Sequence, residues 1–274
     1  MYPILIDFGL FKLHTYGLTM FLAFAIGIII AAKRGKKRGI ADNVILDIST
    51  ATIISGILGG RILYIITHLE EFRGHWLDMI SPIQSDGTIG IAGLVLLGGV
   101  ILAIATIIFI AWLKSVPILK LLDVLAPSLA LGIAIGRIGC FFNGCCFGLP
   151  TDLPWGVVFP EGCLAYSVMG ETRLHPTQLY AVLYNLFLFV LLLLSEKRFY
   201  RFDGFTTFLF FFVYGFFRFL NETLRWQEES MRLIVWKNGF LTISQVVSLG
   251  MFVLGIIGFI VTRRYSISHK RSTT

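Results

Sequence analysis

Four stretches without a single Asp, Glu, Lys or Arg constrain this chain more than anything else in it: residues 15–32, 87–113, 176–195 and 238–262. Crossing the hydrocarbon core of a bilayer as a helix takes roughly 20 apolar residues. With no water there to satisfy backbone amides, a helix is the form such a run takes. Three further segments, 48–67, 118–139 and 204–221, are apolar but carry charges: Arg61 in the first, Asp123 and Arg137 in the second, Arg218 in the third. The pattern predicts an all-α membrane protein with seven transmembrane helices at about 15–32, 48–67, 88–113, 118–139, 176–195, 204–221 and 240–262. A chain that is 56% hydrophobic and 14% charged is far too apolar for an ordinary soluble domain.

The basic residues orient the helices. Cytoplasmic loops are enriched in Lys and Arg. Here they crowd into the connection with Lys33, Arg34, Lys36, Lys37 and Arg38, that with Lys114 and Lys120, that with Lys197, Arg198 and Arg201, and the tail with Arg263, Arg264, Lys270 and Arg271. The remaining connections carry Lys12, Arg73, Arg173, Arg225, Arg232 and Lys237 among acids such as Glu70, Glu71, Asp78, Asp86, Asp152 and Glu161. This places the N-terminus outside and the C-terminus in the cytoplasm. The net charge of +7 then faces anionic headgroups and implies no nucleic acid. Residues 1–17 alternate apolar and polar and suit an N-terminal arm at the outer interface. Without a small-residue cleavage site, the first apolar run is expected to stay as an anchor. No internal repeat or low-complexity stretch divides the chain, which predicts one membrane domain over residues 1–274.

Charge inside hydrocarbon requires a reason, since an arginine near the bilayer centre costs about 2.5–3.5 kcal/mol on insertion scales. Arg61, Arg137 and Arg218 each fall toward the outer end of a span. Each alone could snorkel or pair with an acid such as Asp123 or Glu222. All three together suggest a shared outer-leaflet cavity for an anion, and a guanidinium fork fits a phosphate bidentately. The phosphate available at that depth is a phospholipid headgroup. Gly59, Gly60, Gly136 and Gly139 flank the arginines, while Gly98 and Gly99, expected in mid-helix, suit close approach of a ligand or of another helix.

The motifs resemble those of the prolipoprotein diacylglyceryl transferase family. Gly136, Arg137, Ile138, Gly139, Cys140, Phe141, Phe142, Asn143, Gly144 and Cys145 stand for its GRIGNFxNGE-type signature, preceded by Asp123, Ala126 and Pro127. His175 to Tyr180 match its HPxQLY motif, and Tyr214, Gly215, Arg218 and Glu222 its YGxxRFxxE helix. His14 to Leu18 and Gly59 to Tyr64 also fit, in the right order. Three positions depart from the pattern: Leu97 stands for the histidine of the family's HGG motif, Cys140 for an asparagine and Cys145 for an acid.

The resemblance implies a multi-pass protein of the bacterial cytoplasmic (inner) membrane. It would transfer the diacylglyceryl group of phosphatidylglycerol to the cysteine thiol of a lipoprotein precursor bearing an N-terminal signal peptide, forming a thioether and releasing glycerol phosphate. It implies no cofactor and no metal. By motif position, Arg137, Arg218, Tyr16 and His175 are the catalytic candidates. Arg61, Arg137, Asn143, Gly98, Gly99, Tyr214, Arg218 and Glu222 are those for phosphatidylglycerol. An arginine field that lowers the substrate thiol's pKa is the favoured activation, with His175 and Tyr214 as alternatives. His175 fits a helix-start residue before Pro176 equally well, and the tyrosines fit an interfacial belt. Two other readings stand beside this one: a divergent paralogue with another acceptor, prompted by Leu97, and a non-catalytic lipid-binding or transport protein.

Cys140, Cys145, Cys146 and Cys163 all fall in or beside one outer connection. An oxidising compartment permits a bridge from Cys163 to one of the other three, which would pin the loop over the cavity. Sequence does not choose among the three full pairings. The spacing fits no zinc pattern with His175. A reactive thiol near Arg137 is the remaining possibility.

Overall fold

A computed structural model of the chain describes residues 4–7, 12–73, 75–79, 93, 95–199, 202–228, 232–236 and 239–272. Among these, the helices are α1 (Thr15–Lys37), α2 (Asp42–Thr67), α3 (Leu96–Leu113), α4 (Ile118–Phe142), the short α5 (Leu164–Met169), α6 (Thr177–Phe199), α7 (Phe205–Thr223) and α8 (Ile243–Ser272). Two antiparallel hairpins qualify the all-α expectation. β1 (Ile4–Asp7) pairs with β2 (Lys12–His14) in the expected N-terminal arm, and β3 (Arg232–Trp236) pairs with β4 (Gly239–Thr242) ahead of α8.

Among the described residues, six helices are long and apolar enough to cross a membrane: α1, α2, α3, α4, α6 and α8 as far as Thr262. The protein is a multi-pass helical membrane protein. Helix α7, expected as a seventh span, falls outside that set because it buries Arg218, Asn221 and Glu222 in its last turns. Helix ends also overrun the apolar runs. α1 continues through its basic cluster to Lys37 and α6 to Phe199, since Lys and Arg are good helix formers and mark where hydrocarbon ends, not where the helix does.

Helix α3 corrects the sequence reading in the other direction. It starts at Leu96 instead of 88, because Gly93 is left-handed (φ +78°) and Val95 is extended. The expected start at 88–92 lies outside the described residues, as do Asp86, Arg201 and Lys237 of the charge pattern. Gly98 and Gly99 therefore occupy the first turn of α3, not its middle.

The chain divides into two compact units, residues 32–121 and the remainder. Within the first, α2 and α3 pack backbone to backbone. A Cβ on Gly98 would fall on the carbonyl oxygen of Gly59, one on Gly59 would fall on that of Gly98, and one on Gly99 would meet Gly56. The Val95 amide donates to the Gly60 carbonyl (3.0 Å). Small residues are what allow such approach in a lipid environment, where no hydrophobic force drives helices together.

The second unit is built on α4, α6 and α7, whose shared core is Ala126, Ala130, Leu188, Leu192 and Phe210. Helix α8 lies along α7, where Gly215 and Gly255 leave room for the backbone at Ser248–Phe252 and Phe212. Asp123, weighed from sequence as a partner for an arginine, serves another purpose. Fully buried on α4, its carboxylate accepts from the amides of Gly204 and Thr207 and from Thr207 Oγ1, each at 2.8 Å. It caps the first turn of α7 from a neighbouring helix, satisfying donors that a helix start leaves orphaned.

Candidate functional site

Four helices of the second unit meet the site at one end. Helices α1 and α6 begin there, while α4 and α7 finish there. A compact cap covers this end, with its own core of Phe147, Phe159, Ala165 and Leu174 packed by Phe141, Val157, Met169 and Trp226. Phe147 stacks on Trp226 with ring centroids 5.4 Å apart. Isolated bridges fold the connection between α4 and α6 on itself, Pro150 to Leu174 and Val157 to Leu174, and one, Gly148 to Arg225, ties it to the segment after α7.

The cap starts with a sharp reversal. Gly144 and Cys146 are both left-handed, at φ +65° and +61°, and for a non-glycine residue that conformation costs energy that the surroundings must repay. The compensating bonds are visible. Thr177 Oγ1 donates to the Cys146 carbonyl and Gln178 Nε2 to the Cys145 carbonyl, both at 2.8 Å, while the Ala165 amide donates to the Gly144 carbonyl at 3.1 Å. Thr177 and Gln178 are the central polar residues of the HPxQLY motif and are buried. Their task is to hold the loop that carries the cysteines.

That loop brings the Cys140, Cys145 and Cys146 sulfurs within 4.8 Å of one another. The bridge expected from Cys163 is absent, and all four cysteines are free. Cys163 is buried at the start of α5, packed on Gly144. Asn143, expected at a lipid headgroup, hydrogen-bonds the Cys145 thiol. Arg225 Nη2 donates to Cys146 Sγ at 3.2 Å. Hydrogen bonds from the Cys140 and Cys145 thiols hold the Cys146 thiol below the usual thiol range, and the charges of Arg225 and Arg137 pull the same way against burial.

Arg137 sits at the centre of this arrangement. Its charge acts on Cys146, Cys140, Tyr214 and Tyr184. Tyr184 in turn feels both Arg137 and Arg218, and its ring lies 6.2 Å from that of Tyr214. Two of the three expected arginines are thus brought together around a tyrosine pair. Tyr16, at the start of α1, lies in the field of the same three cysteines and of Arg137. Gly139 makes that possible, since a side chain there would collide with Thr19 and press on Tyr16.

Arg218 pairs with Glu222 one turn on, the alternative weighed from sequence. The carboxylate is shared, however. Glu222 also takes Arg225, at 3.5 Å, and Gln227 Nε2. One fully buried carboxylate against two guanidiniums, with Arg137 nearby, leaves the cluster net positive.

The other candidates are placed differently. Arg61 is buried in the other unit, where Nε donates to the Met79 carbonyl (3.1 Å) and the guanidinium lies 5.3 Å and 5.7 Å from the rings of Phe72 and Tyr64. Leu97 projects from the first turn of α3, 62% exposed. The missing side chains of Gly98 and Gly99 give the space that α2 fills. His175 faces Tyr180 (Nδ1 to Oη 3.2 Å), whose hydroxyl also receives Trp155 Nε1 (2.8 Å). Its backbone pairs with Gly148 and Leu149. Sequence reasoning missed Tyr184, Arg225 and Gln227. For Tyr184 the available signal was its place one helical turn beyond Tyr180, on the motif's own helix.

Fold and site together define a helical membrane protein with guanidinium, tyrosine and thiol groups gathered at one end of its helices. Comparison makes the assignment more specific: residues 3–261 match the prolipoprotein diacylglyceryl transferase family, and the chain belongs to it. Relatives named phosphatidylglycerol–prolipoprotein diacylglyceryl transferase include one from Clostridium tetani, 34% identical over 96% of this chain and 98% of its own length. One from Finegoldia magna is 33% identical over 88% of each, and one from Prochlorococcus marinus 31% identical over 97% and 93%.

Proposed function

We propose that this protein is an enzyme that transfers the diacylglyceryl group of phosphatidylglycerol to the cysteine thiol of a lipoprotein precursor with an N-terminal signal peptide. Its supports are the full-length similarity to relatives bearing that activity in their names and the family match. The observation that carries it is that Tyr184, from α6, stands in the field of both Arg137 and Arg218, from α4 and α7. In the reaction a sulfur–carbon bond forms at the glycerol carbon while the carbon–oxygen bond to phosphate breaks. The electron pair leaves with glycerol phosphate, which also takes up the thiol proton. Charge develops on the departing phosphate, where preorganised guanidiniums in a dry site act most strongly. Tyr16 and Tyr214 line the same region, and Glu222 keeps Arg218 and Arg225 in place.

The reading includes seven spans, α7 being the seventh. The site then faces the outer leaflet of the bacterial cytoplasmic membrane, the N-terminus lies outside, and the basic connections face the cytoplasm. Arg137 and Arg218 bind the phosphate. Asn143 and His175 act from the cap on the headgroup or the incoming peptide, and Arg61, Gly98 and Gly99 are counted with the phosphatidylglycerol-binding residues on motif position alone. Leu97, in place of the family histidine, favours a second reading in which another thiol is the acceptor.

Expression in cells depleted of their own transferase tests the proposal. Restored processing of lipoprotein precursors that vanishes with Arg137→Ala is the expected result. Failure of a folded, membrane-inserted protein to restore it would overturn the first reading, and turnover of phosphatidylglycerol with a different thiol would establish the second.

A further inference from the structure

Three thiols within 4.8 Å of one another, Cys140 near the end of α4 and Cys145 and Cys146 on the following loop that Thr177 and Gln178 hold, form a more specific arrangement than packing requires. Cysteine as a small apolar filler needs no such cradle. In a tetrahedral zinc site, sulfurs at about 2.3 Å from the metal lie about 3.8 Å from each other. The three sulfurs, within 4.8 Å of one another, lie about 1 Å or less beyond that spacing.

The charges also balance. Three thiolates around a divalent d10 cation carry one net negative charge, and Arg225 Nη2 already donates to Cys146 Sγ at 3.2 Å. Outer groups that hydrogen-bond ligating atoms orient them and tune the metal. Asn143 supplies a second such contact, to Cys145. With three protein ligands the fourth position stays open, the hallmark of catalytic zinc as opposed to structural zinc.

We propose that Cys140, Cys145 and Cys146 are a trithiolate site for zinc, and that its open position takes the thiol of the acceptor protein. The second half rests on the transferase reading above. Arg137 joins the two halves, because the charge of the guanidinium assigned to the lipid phosphate also acts on Cys140 and Cys146. A thiol entering the fourth position becomes a zinc-held thiolate, and its proton ends on the departing glycerol phosphate. Its sulfur lone pair then forms the bond to the glycerol carbon as the carbon–oxygen bond breaks and its electrons leave with phosphate. The thioether product is neutral and a poor ligand, so it departs. Zinc undergoes no redox change. The metal does for the thiol what Leu97, Cys140 and Cys145 cannot do as the family's histidine, asparagine and acid would.

The test uses the full-length protein in detergent under reducing conditions. Metal analysis of protein purified without chelator is expected to give one zinc per chain. Cobalt(II) titration should give thiolate charge-transfer bands and the visible bands of a tetrahedral site. Cys140→Ser, Cys145→Ser and Cys146→Ser should each weaken cobalt binding at least tenfold. Cys163→Ala, outside the cluster, should leave it unchanged and so controls for general damage to the cap. A lipoprotein-precursor peptide containing the acceptor cysteine should shift the visible bands, and its Cys→Ser counterpart should not. Absence of bound zinc and of cobalt bands would overturn the site, as would a disulfide between any two of the three sulfurs in the protein isolated from the membrane. Cobalt bands indifferent to the peptide thiol would overturn the acceptor half alone. Precursor processing in depleted cells is read separately, so failure of the transferase reading is distinguishable from failure of the zinc site.

Discussion

Gln178, in the first turn of α6, donates its side-chain amide to the backbone carbonyl of Cys145, 33 positions earlier in the chain. Through this bond a helix start holds a strained loop in place. Gln178→Ala leaves that carbonyl without its donor in a buried setting, a loss of about 1–3 kcal/mol. A lower unfolding temperature in detergent and reduced precursor processing are the expected outcomes. Gln178→Glu, which cannot donate in its ionised form, should resemble the alanine variant.

Arg137 and Arg218 should differ from Glu222 in what they cost. Removing one preorganised charge from a reacting phosphate typically lowers turnover about 10²–10³-fold. Arg218→Ala leaves Glu222 with Arg225 and Gln227, so stability should fall little while transfer falls strongly. Glu222→Ala strands two guanidiniums, and breaking a buried pair in this way costs about 3–5 kcal/mol. Unfolding curves measured beside precursor processing separate the two patterns.

Helix contact between α2 and α3 depends on missing side chains. Gly98→Ala and Gly59→Ala each place a methyl group on an opposing backbone carbonyl, so both should lower the unfolding temperature and the yield of folded protein. Gly17 and Gly250, also helical, have nothing within 4 Å of where a methyl group would stand. Gly250→Ala should therefore be neutral or stabilising, since alanine is the better helix former.

Asp123 accepts three hydrogen bonds at the start of α7. Asp123→Ala removes a cap worth about 1–2 kcal/mol, and Asp123→Asn should recover part of it. The arginine cluster lies at the other end of α7, so both variants should lower thermal stability more than they lower turnover per folded molecule.

The sequence by itself determined the multi-pass helical class and the family. Runs such as 15–32 and 176–195 are decisive because hydrocarbon offers no substitute partner for a charge, so their length alone selects the solution. The motifs carrying Arg137, His175 and Arg218 were legible for the same kind of reason: each is local, and each keeps its spacing. The tertiary structure alone decided the partnerships. Asp123 reaches across to cap α7, Glu222 is divided among Arg218, Arg225 and Gln227, and Tyr184 joins the two arginines. Cys140, Cys145 and Cys146 converge because Gly144 and Cys146 turn left-handed under hydrogen bonds from α6, which no spacing pattern encodes. Chain-local preferences fix where helices form, whereas distances between side chains on different helices depend on packing and on long-range hydrogen bonds.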